Sequence, residues 1–184
     1  MKKTILFIHG YGSDRNSRKF QNLKDYFVGE YKCHCLEWVV YSDIPYVLEL
    51  AVEKCAGIEN LIIIGDSTGA NFAWQIREMR SRKTDILVLL SPLLDVSKRK
   101  NDMEFPVSFN QYLKKIDQPE NALIIASKND EVIDMKSLFE KPNNKFKLLE
   151  VNDNHRLKNF KMYLPALKAY INKKDKNKTS SNTL

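Results

Sequence analysis

Apolar runs of strand length alternate with segments of helical patterning along this chain, and that alternation restricts it to few architectures. The strongest runs are Thr4–Ile8, Leu61–Ile64, Ile86–Leu90 and Ala122–Ala126, with weaker ones at Tyr31–Leu36 and Phe146–Val151. They are short, partly β-branched and bounded by Gly, Pro, Asn or Asp, which fits buried strands better than helices. Between them, Pro45–Ala56 gathers Val47, Leu48, Leu50, Ala51 and Cys55 on one broad face, and Pro45 suits a helix start. Ala70, Ala73, Ile76 and Met79 stand at helical spacing. So do Leu157, Phe160, Leu164, Leu167 and Ile171, with a kink expected at Pro165. Strand and helix in alternation imply a parallel sheet with helices on both faces.

At 184 residues the chain suits one domain rather than two. About 70% of the unfolded surface can be buried at that size, so the core needs no disulfide or metal to hold it. An apolar and aromatic share of 43% excludes a disordered chain, and no stretch approaches the ~18 apolar residues of a membrane span. The basic start Met1-Lys2-Lys3 leads into Ile5-Leu6-Phe7-Ile8, which stops at His9-Gly10, too short for the core of a secretory signal. Cys33, Cys35 and Cys55 are an odd set, expected as reduced thiols in the cytoplasm. Cys33-His34-Cys35 has no second ligand pair at metal spacing, so no metal is expected.

The net charge of +7 raises nucleic acid as a partner, but the charge is not concentrated as a binding groove requires. Lys173, Lys174, Lys176 and Lys178 against Asp175 hold +3 of it in a C-terminal tail with almost no apolar residue. That tail, 173–184, is expected to be disordered, leaving 1–172 as the folded domain and nucleic acid as no expected partner. Nothing in the sequence fixes the oligomeric state.

Six glycines are well under the usual ~7% share, and four of them fall in two loops, which makes their placement informative. One is His9-Gly10-Tyr11-Gly12, after the first strand; the other is Gly65-Asp66-Ser67-Thr68-Gly69, after the third. The second matches G-x-S-x-G in its required context, an apolar strand leading in and a helix leading out. A turn tight enough to lift Ser67 Oγ above the sheet edge leaves no room for side chains two positions to either side. The helix N-terminus would also aim free N–H groups at the reacting centre. A serine nucleophile needs a base. His9 belongs to the first loop and His34 lies mid-strand, whereas His155, in Val151-Asn152-Asp153-Asn154-His155, follows the last strand. Loops at carboxyl strand ends are where open α/β sheets assemble their sites, so His155 is the candidate general base. The carboxylate that orients it is expected at Asp130, after the strand Ala122–Ala126. Asp95, after the preceding strand, is the rival, and Glu131, Asp134 and Asp153 are placed less directly.

With these pieces in order the chain resembles the α/β-hydrolases, and most closely the small, capless YqiA-like bacterial esterases. The matching segments are Phe7-Ile8-His9-Gly10-Tyr11, Gly65-Asp66-Ser67-Thr68-Gly69, Lys128-Asn129-Asp130-Glu131-Val132 and Asp153-Asn154-His155. The resemblance implies a three-layer α/β/α sandwich whose mostly parallel sheet has about six strands. It also implies an oxyanion hole from the backbone N–H groups of Tyr11 and Thr68, with His9 and Gly10 shaping that loop. Asp66 departs from the His or Gln more common before the nucleophile.

The reading is a serine hydrolase of a carboxylic ester or thioester, working through an acyl-enzyme, with no metal or organic cofactor. A non-catalytic binding protein of the same fold and an amidase or peptidase are the alternatives. About thirty residues between Leu90 and Ala122 are too few for a large lid, so short acyl chains should be preferred. Leu93, Leu94, Phe105, Phe109 and Tyr112 are candidates for an apolar acyl pocket, or for plain core. Arg15, Arg18 and Lys19 could draw an anionic leaving group such as coenzyme A, or could simply face solvent as they open a helix.

Overall fold

The computed structural model describes residues 2–100, 105–140 and 145–181, with side chains as far as Asp175. Six strands, β1 (Lys3–Ile8), β2 (Tyr31–Leu36), β3 (Ile62–Asp66), β4 (Ile86–Leu90), β5 (Ala122–Ser127) and β6 (Lys147–Val151), form one sheet. Their order is β2-β1-β3-β4-β5-β6 and every neighbouring pair is parallel. The helices are α1 (Arg18–Tyr26), α2 (Ile44–Lys54), α3 (Thr68–Arg80), α4 (Lys136–Glu140) and α5 (Leu164–Ser181).

Strand periodicity sorts the core into two halves. Leu6, Ile8, Ile63, Leu87, Leu89 and Ile124 face Leu48, Ala51, Phe72, Ala73 and Ile76 of α2 and α3. Their sequence neighbours Ile5, Phe7, Ile62, Ile64, Val88 and Ile125 face Phe20 and Leu23 of α1 and Leu164, Leu167 and Ile171 of α5. Both faces being covered explains why the inner strands read as unbroken apolar runs. The edge strands β2 and β6 are half-exposed, which is why theirs were weaker.

Pro165 does not kink a helix. A 3-10 turn at Phe160–Tyr163 precedes α5, so Pro165 sits just inside a helix start, where its missing N–H costs nothing. The tail expected to be disordered from Lys173 is continuous with α5 as far as Ser181. Lysine is a good helix former once a turn is nucleated; Lys174 lies over the Tyr170 ring and Asp175 pairs with Lys3. Residues 182–184 of that tail lie outside the described residues. Among the described residues no helix is long and apolar enough to cross a membrane.

A buried pair ties the far end of α3 to the sheet. Arg80 Nε lies 2.6 Å from Asp85 Oδ2, with side-chain exposures of 1% and 0%. Its other nitrogens donate to the carbonyls of Cys55 at 2.5 Å and Ile58 at 2.8 Å, and Asp85 Oδ1 accepts from Leu61 N at 3.1 Å.

Candidate active site

The turn from β3 into α3 holds Ser67 at φ +52°, ψ −115°, a region L-residues rarely enter and one costing on the order of 1–3 kcal/mol. The surroundings enforce it. Ser67 N donates to Leu90 O at 2.9 Å, and Ser67 O accepts from Leu93 N at 3.1 Å, so the elbow is pinned to β4. A Cβ on Gly65 would stand 2.4 Å from Ala70 Cα, and one on Gly69 would stand 2.3 Å from His9 O and 2.4 Å from Ile8 O. Both positions therefore admit glycine alone.

On one side of Ser67 lies the loop after β1. Gly10 packs so close that a Cβ there would be 3.3 Å from Ser67 Cβ. His9 is a structural part of this loop, not a cavity residue. Its Nδ1 is 2.8 Å from Gly10 O, its Nε2 accepts from Trp38 N at 3.3 Å, and its ring stacks on Trp38. Tyr11 and Thr68 both line the cleft with Ser67, and among the described residues neither main-chain N–H donates elsewhere. The first turn of a helix leaves such donors free.

On the other side, His155 Nε2 lies 3.0 Å from Ser67 Oγ and His155 Nδ1 lies 2.8 Å from Asp130 Oδ2. The Asp130 side chain is fully buried, and its Oδ1 accepts from Val132 N at 2.9 Å and Ile133 N at 2.7 Å. Asp95 is elsewhere: it caps the 3-10 turn Val96–Lys98 by accepting from Ser97 N at 2.9 Å, beside a separate cavity.

The loop carrying His155 is built by Asp153. Its Oδ1 accepts from Asn154 N at 2.8 Å and Lys158 N at 2.9 Å. Its Oδ2 accepts from Asn159 N and the Tyr163 hydroxyl, both at 2.9 Å. Partial burial works against the charged form, but these donors prevail and hold the Asp153 carboxyl below the usual aspartate range. Burial and the same partnership push the Tyr163 phenol up to about 12. Ser127 Oγ donates to Asp153 O at 2.6 Å and accepts from Asn129 N at 3.0 Å, joining the two loops that bear Asp130 and His155. Sequence patterning assigned Ser127 no role and weighed Asp153 only as a less direct partner for His155, not as the builder of its loop.

Ser67 and His155 open into a cleft of about 720 Å³ that also receives Gly10, Leu93 and Phe105. Phe109 does not reach it: 1% exposed, it packs between Trp38 and Phe72 in the core. Leu94 faces the neighbouring cavity of about 550 Å³. Of the three cations after Tyr11, Arg15 pairs with Glu37 outside the cleft, and Lys19 is buried 2.5 Å from Asp66 Oδ1. Arg18 alone of the three lines the cleft without a carboxylate partner among the described residues. The cleft is also lined by Arg99 and Arg156, which sequence patterning did not single out, and by Glu131, weighed there only as a less direct carboxylate. Among the described residues no group of three or more His, Cys, Asp or Glu is arranged to hold a metal ion.

Residues 109–172 match the model of an uncharacterised protein family, UPF0227, the YqiA-like family. That stretch carries Asp130 and His155 but not the elbow. No curated protein matches the chain. Among solved structures the chain is similar to Est1E from Butyrivibrio proteoclasticus, with a TM-score of 0.70 at 16% identity, covering 94% of this chain and 88% of that one. It is similar also to MGS-MChE2, an α/β hydrolase enzyme from the sediment metagenome of the Mar Chica lagoon, Morocco (TM-score 0.66, 20% identity, 95% and 93% covered). A third is a lidless α/β serine hydrolase from Xanthomonas campestris (TM-score 0.60, 14% identity, 94% and 83% covered).

Proposed function

From a chain with the α/β-hydrolase fold, we propose a serine hydrolase that cleaves a carboxylic ester or thioester through an acyl-enzyme on Ser67. What carries the reading is one relay, His155 Nε2 at 3.0 Å from Ser67 Oγ and Asp130 Oδ2 at 2.8 Å from His155 Nδ1. Asp130 can only accept at Nδ1, so the neutral imidazole keeps its proton there and offers Nε2 as the base. Ser67 Oγ attacks the carbonyl carbon as its proton passes to Nε2. The negative charge on the carbonyl oxygen falls to the N–H groups of Tyr11 and Thr68, donors of a kind worth about 3 kcal/mol each. As the intermediate collapses, His155 returns the proton to the departing oxygen or sulfur. Water, deprotonated by the same Nε2, then attacks the acyl-enzyme, and Ser67 Oγ leaves with its proton restored.

The open cleft, with Phe105 and Leu93 on its walls, favours short acyl chains, because further methylenes would extend into solvent rather than be buried. A fluorophosphonate probe should label the wild type at Ser67, and the wild type should hydrolyse p-nitrophenyl acetate. Ser67→Ala should abolish labelling and lower turnover by roughly 10³-fold or more. Failure of the folded wild type to label, or labelling retained in Ser67→Ala, overturns the reading and favours a binding role for the fold.

A further inference from the structure

The residue before the nucleophile is a carboxylate, and the chemistry above makes no use of it. Asp66 closes β3, one position before Ser67, and lines the same cleft. Both N–H groups proposed to meet the oxyanion are its near neighbours. Thr68 follows it by two positions, and the loop leading to Tyr11 rests on it, since a Cβ on Gly10 would stand 3.2 Å from Asp66 O. A negative charge in that place opposes the one that forms on the substrate carbonyl oxygen.

Lys19 answers that charge. Its Nζ lies 2.5 Å from Asp66 Oδ1 on the cleft wall, with side-chain exposures of 8% and 13%. Stability alone does not account for the pair. A buried ion pair recovers little beyond the cost of desolvating its members, and apolar residues of similar volume often serve as well. Lys19 also stands in the first turn of α1, the end at which the helix dipole disfavours a cation. The other buried pair, Arg80 with Asp85, differs in kind, because it also takes up main-chain groups of Cys55, Ile58 and Leu61. Among the described residues the side chains of Lys19 and Asp66 bond only to each other. The turn that carries Lys19 is held from both sides: Ser17 Oγ accepts from Phe20 N at 3.4 Å, and Arg18 Nη1 donates to Leu157 O at 3.1 Å.

We propose that Lys19 is a positioning residue for the reaction: acting through Asp66, it cancels a negative charge that would otherwise oppose the oxyanion received by Tyr11 N and Thr68 N. The inference rests on the serine-hydrolase reading.

The test reads the sign of each charge. Hydrolysis of p-nitrophenyl acetate, a neutral ester, is followed at about pH 7, between the ordinary ranges of aspartate and lysine. Turnover is expressed per serine labelled by the fluorophosphonate, so that misfolded protein does not count. Lys19→Met leaves the carboxylate without its countercharge and should lower kcat about tenfold or more, with KM held within about threefold, because acylation and deacylation both pass through an oxyanion. Asp66→Asn leaves the ammonium alone and should raise kcat above the wild-type value. Adding Asp66→Asn to Lys19→Met should recover most of the loss. A pair that merely tied α1 to the elbow would lose turnover when broken from either side. A fall in kcat for Asp66→Asn, no recovery in the double variant, or a kcat for Lys19→Met within about twofold of wild type overturns the proposal and leaves the hydrolase reading standing. If either single variant does not fold, the other decides alone. A folded wild type that neither labels nor turns over the ester refutes the hydrolase reading and the proposal with it.

Discussion

Replacing Asp130 by Asn tests the proposed relay at the point where the structure leaves least freedom. The new amide is isosteric, but its orientation is dictated in advance. Val132 N and Ile133 N, at 2.9 and 2.7 Å from Oδ1, both donate, so the amide oxygen must remain with them. The opposite flip would set two buried main-chain donors against an NH2 group, at about 1–3 kcal/mol each. The NH2 group is therefore forced into the place of Oδ2, 2.8 Å from His155 Nδ1, and donates to it. The imidazole must then carry its proton on Nε2, facing Ser67, and has no lone pair there to act as a base. A wrong tautomer of this kind costs on the order of 10⁴ in turnover, about 5 kcal/mol of barrier. The assay is kcat for p-nitrophenyl acetate alongside the urea midpoint, which should move little. Asp95→Asn is the control; Asn caps a helical turn about as well as Asp, so it should leave stability close to the wild type and turnover within a few-fold. A loss under tenfold for folded Asp130→Asn, or a greater loss for Asp95→Asn, refutes the reasoning.

Gly69→Ala brings a methyl group within 2.4 Å of the carbonyls of Ile8 and His9, neither of which is a flexible side chain. It should cost about 1–3 kcal/mol in the urea midpoint and reduce turnover by displacing the Tyr11 loop. Arg80→Met leaves Asp85 buried at 0% side-chain exposure with its countercharge gone, and should cost about 3–5 kcal/mol in urea titration without bearing on the chemistry of Ser67. Because the folded protein holds the Asp153 carboxyl below its unfolded value of about 3.9, the stability it confers is complete above that pH and disappears as pH falls through the lower folded value. Asp153→Asn should therefore flatten the acid limb of the stability curve, as measured by urea midpoints across that range.

The inner strands and the elbow were legible because each imposes a local chemical pattern. Strands covered on both faces must be apolar throughout, and Gly65 and Gly69 are demanded by backbone lying within 2.4 Å of any added Cβ. Asp130 and Asp95 both follow strands, and it is the folded loops that bring the Asp130 carboxyl, not that of Asp95, to His155. What stayed hidden depends on contacts distant in sequence. Lys19 looks like any exposed lysine until α1 lays it against Asp66, 47 positions away. Arg18 finds its carbonyls some 140 positions on. Phe109 has a composition suited to a pocket, yet Trp38 and Phe72 draw it into the core. Pro165 has the same local signature inside a helix as at its first turn, and the 3-10 turn before it decides between the two.

The proposed nucleophile and its proposed base occupy regions of unequal permanence. Ser67 stands at the end of β3, flanked by β1 and β4 and buried along its whole length. His155 hangs from β6, an edge strand with a single neighbour and half its surface in water. Edges open at lower free energy than centres, so the fold gives its base the shorter residence, secured by Asp153 within the loop and by Arg18 reaching across from α1. Fraying of that one margin parts His155 from a serine still firmly held by the sheet. On the proposed mechanism the lifetime of function is thus set by the sheet's rim, while the lifetime of the folded state is set by its middle.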